Sequence, residues 1–200
     1  VSRVHQKMRD FSKKFKTEIF DIGCGVCHQV IPESGKILPG DLVLGADSHT
    51  CTYGALGALS TGVGSTDLAI SLASGKNWFK VPESIKIIVR GKLPKGVYSK
   101  DIILKVIGDL GADGATYKSV EFYGSAIEAL SMDARFTICN MGVEMGAKFC
   151  IIPADKKTFD WIKGRNAVRK PNAQYADSDA KYSLVKEYDA SKFVPQLAKP

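Results

Sequence analysis

Short apolar runs alternate with helical patterns along most of this chain, and that alternation restricts the fold more than any other feature. SIKIIVRGKL (84–93) alternates apolar and polar residues as a half-buried strand does. SKDIILKVIGDLG (99–111) then places Ile102, Ile103, Val106, Ile107 and Leu110 on one helical face, with Ser99 as a cap and Gly111 as a stop. SVEFYG (119–124) reads as a strand, SAIEALS (125–131) as a short helix and DARFTICNMGVEMGA (133–147) as a longer one. KFCIIPAD (148–155) is a strand, and DKKTFDWIKG (155–164) a helix. Toward the start, residues 3–14 form a charged helix and TEIFDI (17–22) a strand. A loop over 23–40 closes on the turn signal Pro39-Gly40. DLVLGA (41–46) is a buried strand, and TDLAISLASGK (66–76) a helix capped by Ser65 or Thr66, with Asp67 in its first turn.

The pattern predicts an α/β fold with mainly parallel sheets flanked by helices and polar working groups at the C-terminal ends of strands. Residues 1–164 read as one α/β region with room for two subdomains. From 165 to 183 the chain turns polar, so 165–200 reads as a linker and the start of a further segment.

Composition narrows the functional classes. Hydrophobic content of 44% and charged content of 24% suit an ordinary globular chain. The net charge of +7 is spread along the sequence, at Lys13, Lys14 and Lys16 and then singly at Lys76, Lys80, Lys86, Lys95 and Lys100. A nucleic-acid module would cluster such residues with interleaved aromatics, so no nucleic-acid partner is expected. No apolar leader and no run of about eighteen apolar residues is present, so neither export nor a membrane span is expected. Five cysteines in such a chain fit reduced thiols in the cytoplasm.

Three stretches carry chemistry. CGVCH (24–28) has the spacing of a c-type haem attachment site. No export signal accompanies it, no second C-x-x-C matches it as a zinc site, and Pro32 and Gly35 interrupt the long helix that a redox dithiol opens. Cys24 and Cys27 therefore read as incidental, and His28 as the residue of interest. GADSHT (45–50) places Asp47, Ser48 and His49 directly after a strand, where turn formation alone also explains Asp and Ser. The glycine-rich run after it fits neither common phosphate-binding pattern. CNMGVEMGA (139–147) puts Asn140 and Glu144 four apart, on one face of a helix. A carboxylate on such an apolar face needs a partner or a function, whereas an exposed Glu144 needs neither.

GVCHQVIPESG, PGDLVLGADSHTCTYGALGALSTGVGSTDLA and FTICNMGVEMGAK occur in this order, and together they resemble the aconitase family. The branch they resemble is that of isopropylmalate dehydratase and homoaconitase large subunits, from about His5 to Pro200. The resemblance implies aconitase-like N-terminal domains and a hydro-lyase of leucine or lysine biosynthesis. Such an enzyme isomerises a 2- or 3-hydroxy acid, such as isopropylmalate or homocitrate, by dehydration and rehydration at a [4Fe-4S] cluster. It implies that His28 and Asp47 form one imidazole–carboxylate pair and His49 and Glu144 another. Ser48 would bond a substrate carboxylate, and Asn140 would lie near the cluster.

The family's cluster-ligand blocks, G-S-C-T-N and a later C-x-x-C, do not occur here, so the cluster ligands are expected outside this chain and no metal ligand is assigned within it. The family's upstream Asp-His motif and downstream substrate arginines are also missing. The chain is thus expected to be part of a roughly twice-longer subunit, inactive alone, that works with a separate small subunit. Two rival classes use the same residues: a binding or regulatory protein that has lost its cluster, and a haem or dithiol redox protein built on CGVCH.

Overall fold

The computed structural model describes residues 2–165, 167 and 169–199. β1 (Leu42–Gly45) and β2 (Leu59–Gly62) pair in parallel, with Leu42 opposite Leu59. β3 (Ser84–Arg90), β4 (Ser119–Tyr123), β5 (Phe149–Ile151) and β6 (Leu184–Asp189) form a second, parallel sheet in the order β5-β4-β3-β6. The helices are α1 (Ser2–Phe15), α2 (Cys27–Glu33), α3 (Ser65–Ser74), α4 (Ser99–Leu110), α5 (Ser125–Ala129), α6 (Met132–Asn140) and α7 (Lys156–Lys163). Parallel sheets flanked by helices make this an α/β fold, as the alternation predicts.

β3 lies inside its sheet, and Ile85, Ile87, Ile88 and Val89 are all buried. An internal parallel strand covered on both faces tolerates this run, where a one-sided strand would need strict alternation. α4 lays Ile102, Ile103 and Val106 on the same core as β3 and β4, and each is fully buried. Burial of each such side chain stabilises by about 1.5–3 kcal/mol. The α4 cap is Tyr98 rather than Ser99, with the Asp101 carboxylate accepting from the Tyr98 N–H at 2.7 Å. Gly111 stops the helix at φ 87°, as expected. Gly64, not Ser65 or Thr66, caps α3.

Other local expectations fail for physical reasons. Residues 17–22 form no strand: no described strand lies alongside to pair with them, and most are exposed. The loop over 23–40 contains α2, a helix short enough to carry Pro32 near its end. The helix expected over 133–147 stops at Asn140 and tightens into a 3₁₀ turn, Met141–Met145. β2 and the 3₁₀ helix Ser48–Leu56 come from Ser-, Thr- and Gly-rich sequence with no apolar period to announce them. The segment after 183 supplies β6, which pairs with β3 from Leu184 to Asp189.

Candidate active site

β1 ends at Gly45 and hands the chain to Asp47, which caps the 3₁₀ helix Ser48–Leu56. The Asp47 Oδ1 atom accepts from the His49 backbone N–H at 2.8 Å. The same oxygen lies 3.1 Å from His28 Nε2, which arrives on the first turn of α2. One carboxylate oxygen thus fixes the start of the helix carrying His49 and holds the other histidine. Nε2 is thus the nitrogen paired with Asp47, which leaves Nδ1 on the other side of the ring. The Cys27 Sγ atom is its nearest sulfur neighbour, at 3.8 Å.

His49 is held differently. Its Nδ1 is 3.0 Å from the backbone carbonyl of Asn140, at the end of α6. A carbonyl only accepts, so Nδ1 carries the proton and Nε2 is free. The Asn140 side chain donates to Thr52 Oγ1 at 2.8 Å, and that hydroxyl donates to the His49 carbonyl at 2.6 Å. Thr52 is only 2% exposed, so this small network is shielded from water. His49 Nε2 faces Glu144 Oε1 at 3.7 Å, within ion-pair range but beyond hydrogen-bond length. The two imidazole rings stand edge-on, with centroids 6.0 Å apart.

The structure therefore brings His28, Asp47, His49, Asn140 and Glu144 together at the C-terminal end of β1. Ser48 is exposed beside them, the first residue of the 3₁₀ helix. Of the two readings of Glu144, the exposed one describes its burial: its side chain is 53% exposed. The 3₁₀ turn after Asn140 rotates it out of the apolar face that a continuous helix would have given it. Thr52 and Tyr53 were not singled out from sequence. Tyr53 is nearly buried, and its hydroxyl donates to the Cys27 carbonyl at 3.2 Å, tying α2 to the 3₁₀ helix. No short-range pattern marks either residue, because both act through contacts with distant parts of the chain. A cavity of about 590 Å³ between α2 and α6 opens beside His28 and Asn140.

The glycines set how closely these elements approach. A Cβ at Gly54 would lie 1.8 Å from the Cys150 carbonyl oxygen, and one at Gly142 would lie 2.4 Å from the Cys150 Cβ. β5 is thus pressed between the 3₁₀ helix of His49 and the turn of Glu144.

The cysteines do not form a cluster-binding set. Cys51, Cys139 and Cys150 are buried free thiols. Burial pushes Cys51 up to about 12, and a hydrogen bond with Cys139, together with burial, raises Cys150. Iron–sulfur clusters take thiolates, which these sites disfavour. Cys24 and Cys27 are exposed on the turn before α2 and on its first residue. Among the described residues, no three His, Cys, Asp or Glu side chains converge as metal ligands. No described helix is long and apolar enough to cross a membrane.

Comparison with known proteins bears directly on this constellation. The model of the aconitase family (aconitate hydratase) matches residues 1–200. The chain belongs to the aconitase family. Among its relatives within the family, the 3-isopropylmalate dehydratase large subunit 1 of Methanopyrus kandleri is 48% identical over 197 residues, covering 98% of this chain and 47% of the relative. The probable methanogen homoaconitase large subunit of Methanosarcina mazei is 56% identical over 181 residues, covering 90% of this chain and 46% of the relative. The 3-isopropylmalate dehydratase large subunit of Heliobacterium modesticaldum is 54% identical over 195 residues, covering 96% and 46%. This aconitase-family chain spans about half the length of the curated relatives it matches.

Proposed function

We propose that this chain is part of the large subunit of a cytoplasmic hydro-lyase that isomerises a small hydroxy acid, of the isopropylmalate or homocitrate class, by dehydration and rehydration. The observation that carries the reading is the pair of imidazole–carboxylate couples at the end of β1, in a chain of this family. Relatives named 3-isopropylmalate dehydratase large subunit and probable methanogen homoaconitase large subunit support this reading, and the words large subunit support a separate small subunit as partner. The [4Fe-4S] cluster that such a hydro-lyase carries would take its ligands from residues outside this chain; Cys51, Cys139 and Cys150, as buried thiols, do not suit it. No step is assigned through it.

The chain's own contribution is one wall of the reaction cleft. Loss of water from a hydroxy acid needs a proton delivered to the departing hydroxyl and another removed from the neighbouring carbon by a base, which is not assigned to this chain, and rehydration reverses both transfers. His28 supplies Nδ1 for that exchange while Asp47 pairs with Nε2 and fixes the orientation of the ring. His49 supplies Nε2, its tautomer fixed by the Asn140 carbonyl, with Glu144 alongside to stabilise positive charge. Ser48, exposed between them, donates its hydroxyl to a substrate carboxylate. Asn140 would be the residue of this wall near the cluster.

The test uses the complete, cluster-loaded enzyme with its small subunit. Asp47→Asn keeps a good helix cap but removes the charge opposite His28, and turnover should fall by about a hundredfold. Glu144→Gln, acting across a longer gap, should lower it by about tenfold. Near-normal turnover in both variants, with normal iron content, would sink the assignment.

A further inference from the structure

On the far side of Ser48 lies a recess that neither histidine pair uses. It is a cavity of about 450 Å³ bordered by Ser48, the Gly62–Gly64 backbone, Trp78, Tyr117 and Lys148. A second cavity of about 300 Å³ shares Ser48, Gly62 and Lys148 with it and is bounded by Val143 and Gly146, on either side of Glu144. Gly62 permits this arrangement. A Cβ there would lie 2.5 Å from the Asp47 carbonyl oxygen, so only glycine lets the end of β2 press against the Asp47–Ser48 turn.

Lys148 is half-buried at this junction. Its Nζ donates to the Gly62 carbonyl at 3.0 Å and lies 5.6 Å from the Phe79 ring and 5.8 Å from the Tyr117 ring. An ammonium has three N–H bonds, and Gly62 takes one. Among the described residues the other two find no acceptor, and no carboxylate comes within ion-pair distance. Asp67 borders the same recess and attracts Lys148 from farther away, yet burial still lowers the lysine's pKa. Lys105, Lys118 and Lys156, by contrast, each meet a carboxylate at close range. A cation kept in a partly dry, aromatic-walled recess with unused donors is suited to a small anion. Electrostatic attraction is stronger in such surroundings than at an open surface.

We propose that Lys148 and Ser48 together bind one carboxylate of the hydroxy acid, Lys148 supplying the charge and Ser48 a hydroxyl donor. Lys148 is then a specificity-determining residue that favours substrates carrying a carboxylate at this position over uncharged analogues. The proposal rests on the hydro-lyase reading for the identity of the ligand, but its binding test does not need turnover.

Trp78 lines the recess, and Trp161 is the other tryptophan of the chain. In a Trp161→Phe background, tryptophan emission therefore comes from Trp78 alone, at the rim of the recess. Titration of the purified chain with isopropylmalate should give a saturable change, and the neutral dimethyl ester should give none. Lys148→Gln should weaken the diacid by at least about tenfold, the size expected for loss of a charge-assisted hydrogen bond. Lys148→Arg should stay within about threefold, because it keeps the charge. In the loaded holoenzyme, Lys148→Gln should raise KM by a similar factor and leave kcat within about threefold. Equal diacid binding by wild type and Lys148→Gln, or no saturable binding by the wild type, overturns the proposal. Lys148-dependent binding in an enzyme that turns over no hydroxy acid would instead overturn the proposed function and leave the site standing.

Discussion

His28 and His49 stand edge-on with ring centroids 6.0 Å apart but are held by very different parts of the molecule. His49 stands on a 3₁₀ helix whose residues from Thr50 to Leu56 are all buried, and its backbone and ring are bound by Thr52 and Asn140. His28 stands on a seven-residue helix with one buried residue, Pro32, preceded by a helix, α1, that buries none. The first turn of α2 is tied to the core by the ion-pair contact of Asp47 with His28 and by the hydrogen bond from Tyr53 to the Cys27 carbonyl. One imidazole is thus part of the core, and the other is delivered to it on a tether. Opening free energies within a fold follow just such differences in burial and bonding. Exchange and stability measurements can break this contrast or sharpen it.

The largest effect should come from beneath the His49 side. α6, which ends at Asn140, is anchored by Arg135, a fully buried guanidinium bonded to the Glu128 carbonyl, Thr158 and Asp155. Arg135→Met should cost about 2–4 kcal/mol of stability, less than for a fully buried pair because Asp155 is about a third exposed and can rehydrate. Burial would raise the Asp155 carboxyl, but the hydrogen bonds from Arg135 and Thr158 and the Arg135 charge outweigh it and hold the group below its usual range. The resulting stabilisation is fully present above the ordinary carboxylate range, near about pH 4, and is lost as the pH falls through the depressed value. Thermal melts against pH should show that acid-side loss in the wild type and a shallower slope in the variant. An unchanged slope would mean that Asp155 draws its stabilisation elsewhere.

A smaller loss is expected at the hinge of the network. Thr52→Val keeps the shape but removes the hydroxyl that serves both His49 and Asn140, and it should cost about 1–3 kcal/mol. Histidine NMR should show the His49 signals shifting and those of His28 unmoved. If both sets shift equally, the two sides form one unit and the contrast fails.

The smallest effect belongs to the tether. Tyr53→Phe removes one hydrogen bond to the Cys27 carbonyl, worth about 0.5–1.5 kcal/mol. Amide hydrogen exchange should quicken over 27–33 and stay unchanged over 48–56. Faster exchange in both segments would show that α2 is as firmly embedded as the helix it rests on.

Legibility in the sequence follows the same divide. β3, α4 and β4 are readable because Ile85, Ile87, Ile102, Ile103, Val106 and Phe122 repeat at the period of the element they build. The Asp47–Ser48–His49 turn is readable because it directly follows an apolar strand. The 3₁₀ helix after it is not, since Thr50, Cys51, Thr52 and Gly54 are buried by close backbone approach rather than by any apolar pattern. Spacing leaves the exposure of Glu144 open for a related reason: a change from α to 3₁₀ winding after Asn140 leaves no trace in residue spacing. The strand expected at 17–22 shows the converse, a pattern with no described strand to pair with.

The clamp of Gly54 and Gly142 on Cys150 has a historical consequence. Single substitutions can change the groups around the histidines one at a time, but any side chain added at either glycine meets β5 first. The distance between the 3₁₀ helix of His49 and the turn of Glu144 is therefore set by backbone contact rather than by side chains, and it can be reset only by several changes arriving together.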